Sequence, residues 1–139
     1  MLNTLGILCW LWLFVAAHEA SHLVVAYWLD RPVSGITIGN GPVVLRQWYW
    51  RGIHCTCKLL PFSGEVRLVA RSRRRWINLA ITGAGPTSNL VLALGLAMLG
   101  LQDVAHLSLY LGIYNLMPVG KLDGAEIWRE MRRVRPTEI

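Results

Sequence analysis

The first apolar stretch of the chain constrains its fold more than any other feature. Across residues 5–29 the only acidic, basic or histidine side chains are His18, Glu19 and His22, and the first positive residue is Arg31. About 20 consecutive apolar residues are enough for a helix to cross the hydrocarbon core of a bilayer. The stretch therefore predicts a membrane-spanning helix over residues from about 5 to 29.

A cleaved signal peptide is the alternative for this stretch. Ala16 and Ala17 close a short apolar run, as small residues do before a cleavage site. A signal peptide also carries positive charge before its apolar run, and none stands there. The pattern favours the membrane helix.

Two further stretches lack Lys, Arg, Asp and Glu altogether, over residues 76–101 and 104–119. Gln102 and Asp103 separate them and predict a short turn, so the two helices form an antiparallel hairpin. The chain is 54% hydrophobic and 16% charged, with a mean hydropathy of +0.41, which is too apolar for an ordinary soluble domain. We therefore predict a mainly α membrane protein with three transmembrane helices.

The long connection between the first and second predicted helices reads as β structure over residues from about 33 to 70. It consists of β-branched and aromatic runs separated by glycines, which is typical of short antiparallel strands; the runs are 36–38, 43–50, 54–60 and 65–69. Their side chains are too apolar for a fully solvated sheet. We expect this region to lie in the membrane interface or to pack against the helices.

The positive charges orient the chain. Of its 14 Lys and Arg residues, nine lie in the long connection and five follow the third apolar stretch. With three spans these segments share one side, and the positive-inside rule makes that side cytoplasmic, with the N-terminus outside and a tail over 125–139 in the cytoplasm. We expect the plasma membrane of a prokaryote, on whose reducing side an odd count of three Cys fits. The run 73–75 indicates an anchor to anionic lipid and not a nucleic-acid site.

The ionisable residues of the first helix form an H-E-x-x-H pattern from His18 to His22. Histidines four residues apart share a helical face and can bind one Zn²⁺, while Glu19 on the adjoining face can act as general base towards a water. Two buried histidines satisfied by neighbouring groups are the alternative. That alternative leaves a glutamate in the hydrocarbon core unexplained, and such residues are costly without a function.

A catalytic zinc has three protein ligands and one open position. Since the two histidines lie in the cytoplasmic half of their helix, the third ligand should follow another span on the cytoplasmic side. Asp123 meets this condition, and Glu126 is the fallback. Asp103 and His106 are expected near the opposite face of the membrane.

Three motifs together resemble the site-2 proteases, the intramembrane zinc metalloproteases of peptidase family M50. They are H-E-x-x-H at 18–22, G-P-x-x-N at 85–89 and N-x-x-P-x-x-x-L-D-G at 115–124. The resemblance implies that His18, His22 and Asp123 bind zinc and that Glu19 is the base. It also implies hydrolysis of a peptide bond in or near the transmembrane segment of a single-span substrate, at a site facing the cytosol.

The asparagines of these motifs have two interpretations. Asn115, one turn before Pro118, could bind the backbone of an unwound substrate, and Asn89 could do the same or stabilise the oxyanion. Either amide could instead form an interhelical hydrogen bond.

The length of the chain leaves no room for a PDZ or CBS domain, so we expect a minimal enzyme core, and dimerisation is a reasonable expectation for so small a bundle. Two other function classes remain open. One is an inactive relative that binds membrane proteins, although such a protein needs no general base. The other is a zinc carrier, although the sequence has one metal site and no inverted repeat.

Overall fold

The computed structural model of the protein describes residues 3–133. Its helices and strands follow one another as α1 (Thr4–Trp28), β1 (Val33–Trp50), β2 (Ile53–Leu68), α2 (Arg75–Met98), α3 (Gln102–Asn115) and α4 (Asp123–Arg132). The predicted class, mainly helical with an antiparallel sheet between the first two long helices, is confirmed.

Helix α1 begins where Asn3 caps it, because the Asn3 side chain accepts a hydrogen bond of 2.8 Å from the backbone N–H of Gly6. Just beyond its end, Asp30 has a φ of 52°, which takes the chain out of the helix. The buried residues of α1 recur at intervals of three and four and so form one stripe; they are Phe14, Val15, His18, Glu19, His22 and Ala26. The H-E-x-x-H side chains therefore face the rest of the protein.

Strands β1 and β2 are long and bent, and their pairing places four short segments side by side in the order 44–50, 53–58, 35–38 and 64–68. Ile36 illustrates the arrangement, since it pairs with Cys55 on one side and with Val66 on the other. β1 bends at Gly39 and Gly41, whose φ values of +84° and +92° favour glycine. The bends explain why four short apolar runs in the sequence form only two continuous strands.

The sheet lies along α1 from its C-terminal end to its middle. The indole N–H of Trp12 donates a 3.1 Å hydrogen bond to the carbonyl of Leu59, and Ile38 packs against the cluster that contains Phe14. At this end of the sheet large apolar side chains are exposed, among them Val44, Leu45, Leu59 and Phe62. The exposed apolar end thus reaches half-way along a helix long enough to span a membrane.

Two apolar clusters hold the helices together. Phe14 and Val15 of α1 pack against Val104 and Leu111 of α3. Nearer the other end of α1, Ala26 packs against Ile77 and Ile81 of α2. Each cluster joins α1 to one arm of the hairpin that α2 and α3 form.

Among residues 3–133, α1 and α2 are the two helices that are long and apolar enough to cross a membrane. α3 has 14 residues, which at 1.5 Å per residue is about 21 Å, less than the ~30 Å hydrocarbon core. It ends at Asn115, short of the predicted boundary near 119, because Pro118 follows and disfavours the helical conformation before it. Three spans are therefore not established.

The segment expected to be a C-terminal tail contains a helix. α4 has Asp123 and Glu126 in its first turn and Arg129 and Arg132 in its last. These charges complement the helix dipole at both ends and so stabilise α4. The remainder of the predicted tail, residues 134–139, lies outside the described residues.

Candidate metal centre and active site

The two histidines of α1 and the aspartate of α4 meet at one point. His18 Nε2 lies 2.9 Å from Asp123 Oδ2, and His22 Nε2 lies 3.5 Å from the same oxygen. One ligand atom from each of the three residues lies within 4.8 Å of the other two. Residues 105 positions apart along the chain are therefore brought into the spacing of a metal site.

Helix α2 supports the imidazoles from behind. His22 Nδ1 lies 2.7 Å from the carbonyl oxygen of Ile81, and Asn89 Nδ2 lies 3.0 Å from His18 Nδ1. Between these two contacts stands Gly85, where an added Cβ would overlap the Nε2 atoms of both histidines. The glycine thus leaves the space in which the ligand nitrogens converge.

Asp123 reaches the histidines because α4 starts close beneath the segment that follows α3. A Cβ on Gly124 would overlap the backbone carbonyl of Leu116, so glycine permits this approach. Burial opposes ionisation of Asp123, but hydrogen bonds with His18 and His22 outweigh it and hold the pKa of this carboxyl below its usual value. Asp123 is therefore a candidate ligand that is anionic at neutral pH.

Glu19 shares a cavity with the three ligands. The cavity has a volume of about 140 Å³ and is also lined by Gly64, Glu65, Asn115 and Glu126, among others. The Glu19 side chain is only 4% exposed, and a Cβ on Gly64 would contact its carboxylate. β2 thus passes directly over the candidate base.

The donor set suits Zn²⁺. Two imidazole nitrogens and one carboxylate oxygen form a three-ligand set that leaves a fourth position for water or substrate. Gly85 leaves room beside both Nε2 atoms that any larger side chain would fill, so His18 and His22 could hold such an ion. Within residues 3–133 this is the one group of three or more potential metal ligands that lie this close together.

The comparison that decides the family is the match of the chain to peptidase family M50 over residues 6–105. The chain belongs to this family. The match includes nearly all of α1, the sheet and α2, and so contains the H-E-x-x-H motif and the two residues of α2 that contact its histidines. The resemblance seen in the sequence motifs is confirmed.

Two proteins that are similar to this M50 chain have names consistent with the family. A protein of Synechocystis sp. (strain PCC 6803), provisionally named a zinc metalloprotease, is 29% identical over 141 residues, covering 91% of this chain and 32% of that protein. The site-2 protease from Methanocaldococcus jannaschii has the same fold, with a TM-score of 0.64 and 22% identity over 94% of this chain and 56% of its own. The chain therefore spans about a third of the first relative and somewhat more than half of the second.

Within the M50 chain, the predicted site residues lie at different distances from the cavity. His18, Glu19, His22, Asp123 and Asn115 line it, and Asn115 donates a 2.9 Å hydrogen bond to the carbonyl of Leu111 within its own helix. Asn89 is fully buried against His18 and is not among the lining residues. The fallback ligand Glu126 lines the cavity and is ion-paired with Arg71.

Sequence reasoning missed Gly64, Gly85 and the carbonyl of Ile81. Gly85 belongs to the G-P-x-x-N motif, but the motif does not show what the glycine does. That purpose depends on which helix packs against the histidines, which no local pattern contains. Four-residue spacing on α2, from Ile81 to Gly85 to Asn89, is the one signal that could have shown a shared face.

Proposed function

We propose that this chain is the catalytic core of an intramembrane zinc metalloprotease that hydrolyses a peptide bond in or near the transmembrane segment of a membrane-protein substrate. The observation that carries the proposal is that Asp123 of α4 converges with His18 and His22 of α1, a helix of span length. Glu19 of the same helix lines the cavity that these residues share. A carboxylate beside a three-ligand set is the arrangement that metal-assisted hydrolysis requires. Membership of peptidase family M50 supports it.

The residues present would divide the chemistry between them. A Zn²⁺ held by His18, His22 and Asp123 would supply Lewis-acid polarisation of the peptide carbonyl and lower the pKa of a water. The Glu19 carboxylate would accept the proton of the attacking water and return it to the leaving nitrogen. Asn115, on the cavity wall, would bind the substrate backbone beside the reacting carbonyl.

A transmembrane helix must unwind before it can be cut, because its backbone is protected by its own hydrogen bonds. The segment 64–68 forms one edge of the sheet, and Gly64, Glu65, Val66 and Leu68 line the cavity. An unwound substrate segment could add to this edge as a further strand. Val66→Pro should then reduce cleavage strongly, whereas Leu45→Pro at the opposite edge should not. Intact cleavage by the Val66→Pro protein would contradict strand addition.

The decisive experiment is co-expression with tagged single-span membrane proteins, followed by blotting for the cleaved product. Wild type should cleave at least one substrate, Glu19→Gln should lose about 10²–10⁴-fold in rate while it still binds zinc, and Asp123→Ala should lose both. Asp30→Asn, a change at an exposed acid just after α1, is the matched control and should cleave like wild type.

Equal product from the wild type, Glu19→Gln and Asp123→Ala proteins would rule out the metalloprotease. Loss of zinc binding in Asp123→Ala, without cleavage by any protein, would favour an inactive relative that binds membrane partners. Uptake of zinc into vesicles without cleavage would instead favour the carrier.

We also propose the topology expected from the charges, with the N-terminus outside, the C-terminus in the cytoplasm and α3 as a third, short span in the plasma membrane of a prokaryote. Reporter fusions after Gly100 and at the C-terminus should report opposite sides of the membrane. The same side for both fusions would show that α3 does not cross. Crosslinking in membranes would test for the homodimer.

A further inference from the structure

We propose that Asn89 is a positioning residue for the metal site, which accepts a hydrogen bond from His18 Nδ1–H through its Oδ1 atom and thereby holds Nε2 towards the metal. The inference rests on the proposed function in so far as it assumes that His18 binds a metal. It assigns to Asn89 a role that differs from contact with substrate.

The proposal is based on the buried side-chain amide of Asn89, one atom of which has no hydrogen-bond partner among the described residues. Asn89 is 0% exposed, its Nδ2 lies 3.0 Å from His18 Nδ1, and its Oδ1 is buried without a hydrogen-bond partner among residues 3–133. A half-turn about the last side-chain bond exchanges Nδ2 and Oδ1 without moving any other atom. In either orientation one amide atom has no hydrogen-bond partner in the part of the chain that the structure describes. The protonation of His18 Nδ1 therefore determines which orientation is stable.

Only one of the two orientations of the Asn89 amide is compatible with a His18 that binds a metal. Its Nε2 faces Asp123 Oδ2 at 2.9 Å and is the atom directed into the ligand cluster. A nitrogen that binds a metal carries no proton, so a neutral His18 carries its proton on Nδ1. An N–H facing the NH₂ of an amide would be repulsive, whereas Oδ1 in the same place is an acceptor. Metal-bound histidines almost always donate their second N–H to an oxygen acceptor.

His22 provides an internal comparison on the same helix. Its Nδ1 lies 2.7 Å from the backbone carbonyl of Ile81, a group that can only accept. His22 Nδ1 is therefore a donor, and its Nε2 is free for the metal. Ile81, Gly85 and Asn89 follow one another at intervals of four residues and so share one face of α2. Towards the two imidazoles this face presents the carbonyl of Ile81, the space at Gly85 and the amide of Asn89.

Asn89 is also held firmly enough to orient a neighbour. The hydroxyl of Ser108 donates a 2.9 Å hydrogen bond to its backbone carbonyl, and Gly112 of α3 approaches so closely that a Cβ there would lie 3.2 Å from the Cβ of Asn89. The side chain is enclosed, does not line the cavity and contacts His18, so its position supports a role towards His18.

The test is zinc affinity, measured by chelator competition on the full chain purified in detergent. Asn89→Asp keeps an acceptor and should stay within a few-fold of wild type. Asn89→Leu and Asn89→Ala remove it and should weaken zinc binding about 10–100-fold; the smaller variant is included because Gly112 leaves little room for leucine. Thr87→Val, an exposed position two residues earlier on α2, is the control and should bind like wild type.

A spectroscopic readout separates orientation from general damage to the fold. In the zinc-loaded protein with ¹⁵N-labelled histidine, His18 Nδ1 should carry the proton in wild type and Asn89→Asp. Equal loss of affinity in the aspartate and alanine variants, or unchanged affinity in alanine and leucine, would overturn the proposal. If wild type binds zinc but cleaves nothing, the proposed function fails and the role of Asn89 is still decided by these affinities.

Discussion

The histidine half and the aspartate half of the metal site are built in different ways. The side chains of His18 and His22 are 5% and 7% exposed and lie on a long helix packed against α2, whereas the Asp123 side chain is 18% exposed and lies at the start of the ten-residue α4. Apolar packing between helices positions the first pair. The third ligand depends on whatever fixes α4.

What fixes α4 is a polar network around Glu130, a carboxylate that is only 2% exposed. Asn78 Nδ2 of α2 donates to Glu130 Oε1 at 3.0 Å, and Arg71 Nη1 donates to Oε2 at 3.3 Å. Asn78 also exchanges two hydrogen bonds with the backbone of Ser72, just before α2. Apolar packing thus positions the histidine half of the site, and polar contacts position the aspartate half, so separate substitutions can test each half.

The largest effect is expected on the histidine side, from Gly85→Ala. The new methyl group would overlap Nε2 of both His18 and His22, so zinc affinity should fall by more than the roughly 100-fold at the upper end for loss of a supporting contact. The measurement is chelator competition. Gly83→Ala on the same helix is the control, because its Cβ meets nothing within 4 Å. Wild-type affinity in the Gly85→Ala protein would show that the imidazoles have room to move.

The corresponding glycine on the aspartate side is Gly124. Alanine there would overlap the carbonyl of Leu116 and push the start of α4 away. Because only one of three ligands is displaced, zinc affinity should fall about 10–100-fold, less than for Gly85→Ala. Co²⁺ in place of zinc should show a visible spectrum of altered coordination, while Gly95→Ala, in open space on α2, should leave it unchanged. A larger loss of zinc affinity than in the Gly85→Ala protein would show that the site depends more on the aspartate half than on the histidine half.

A smaller effect is expected from Glu130→Ala, which touches no ligand. Its loss would remove one hydrogen bond from the buried Asn78 amide and one from Arg71, which should lower the free energy of unfolding by about 1–3 kcal/mol and weaken zinc binding by about tenfold through a looser α4. Hydrogen exchange of the α4 amides should rise. Glu130→Gln keeps one acceptor oxygen and should lie between.

The control for this network is Arg129→Ala, because Arg129 is exposed and hydrogen-bonds the carbonyl of Ala125 in its own helix. It should leave exchange and zinc binding unchanged. Unaltered exchange of α4 in the Glu130→Ala protein would show that the network does not hold the helix.

The two halves also differ in how far the sequence predicts them. Absence of charge is a local property, so the helix that carries His18 and His22 follows from residues 5–29, and the spacing of four puts both imidazoles on one face. The network around Glu130 has no such signature. Its burial depends on α4 folding back against α2, and the same glutamate on a free tail would be an ordinary surface charge.

The unexpected end of α3 has a similar cause. Residues 116–119 are as free of charge as the helix before them, so hydropathy extends the helix to 119, but Pro118 stops it at Asn115. The segment after Asn115 then turns back and places Asp123 beside the two histidines. The motif from Asn115 to Gly124 thus marks the right residues, while their path depends on the contact between Gly124 and Leu116, which only the folded chain shows.

The smallest effect is expected from Glu126→Gln, and it also tests the alternative third ligand. Glu126 pairs with Arg71, but the two side chains are 37% and 49% exposed, and a pair in that environment contributes about 0–1 kcal/mol. Zinc affinity should therefore fall by no more than about fivefold, and high salt should weaken wild type by a similar factor because it screens the same pair. A ligand would behave differently, since its loss should match that of Asp123→Ala and should not depend on salt. Chelator competition on both variants at low and high salt separates the two roles, and equal losses would move the third ligand one helical turn along α4, from Asp123 to Glu126.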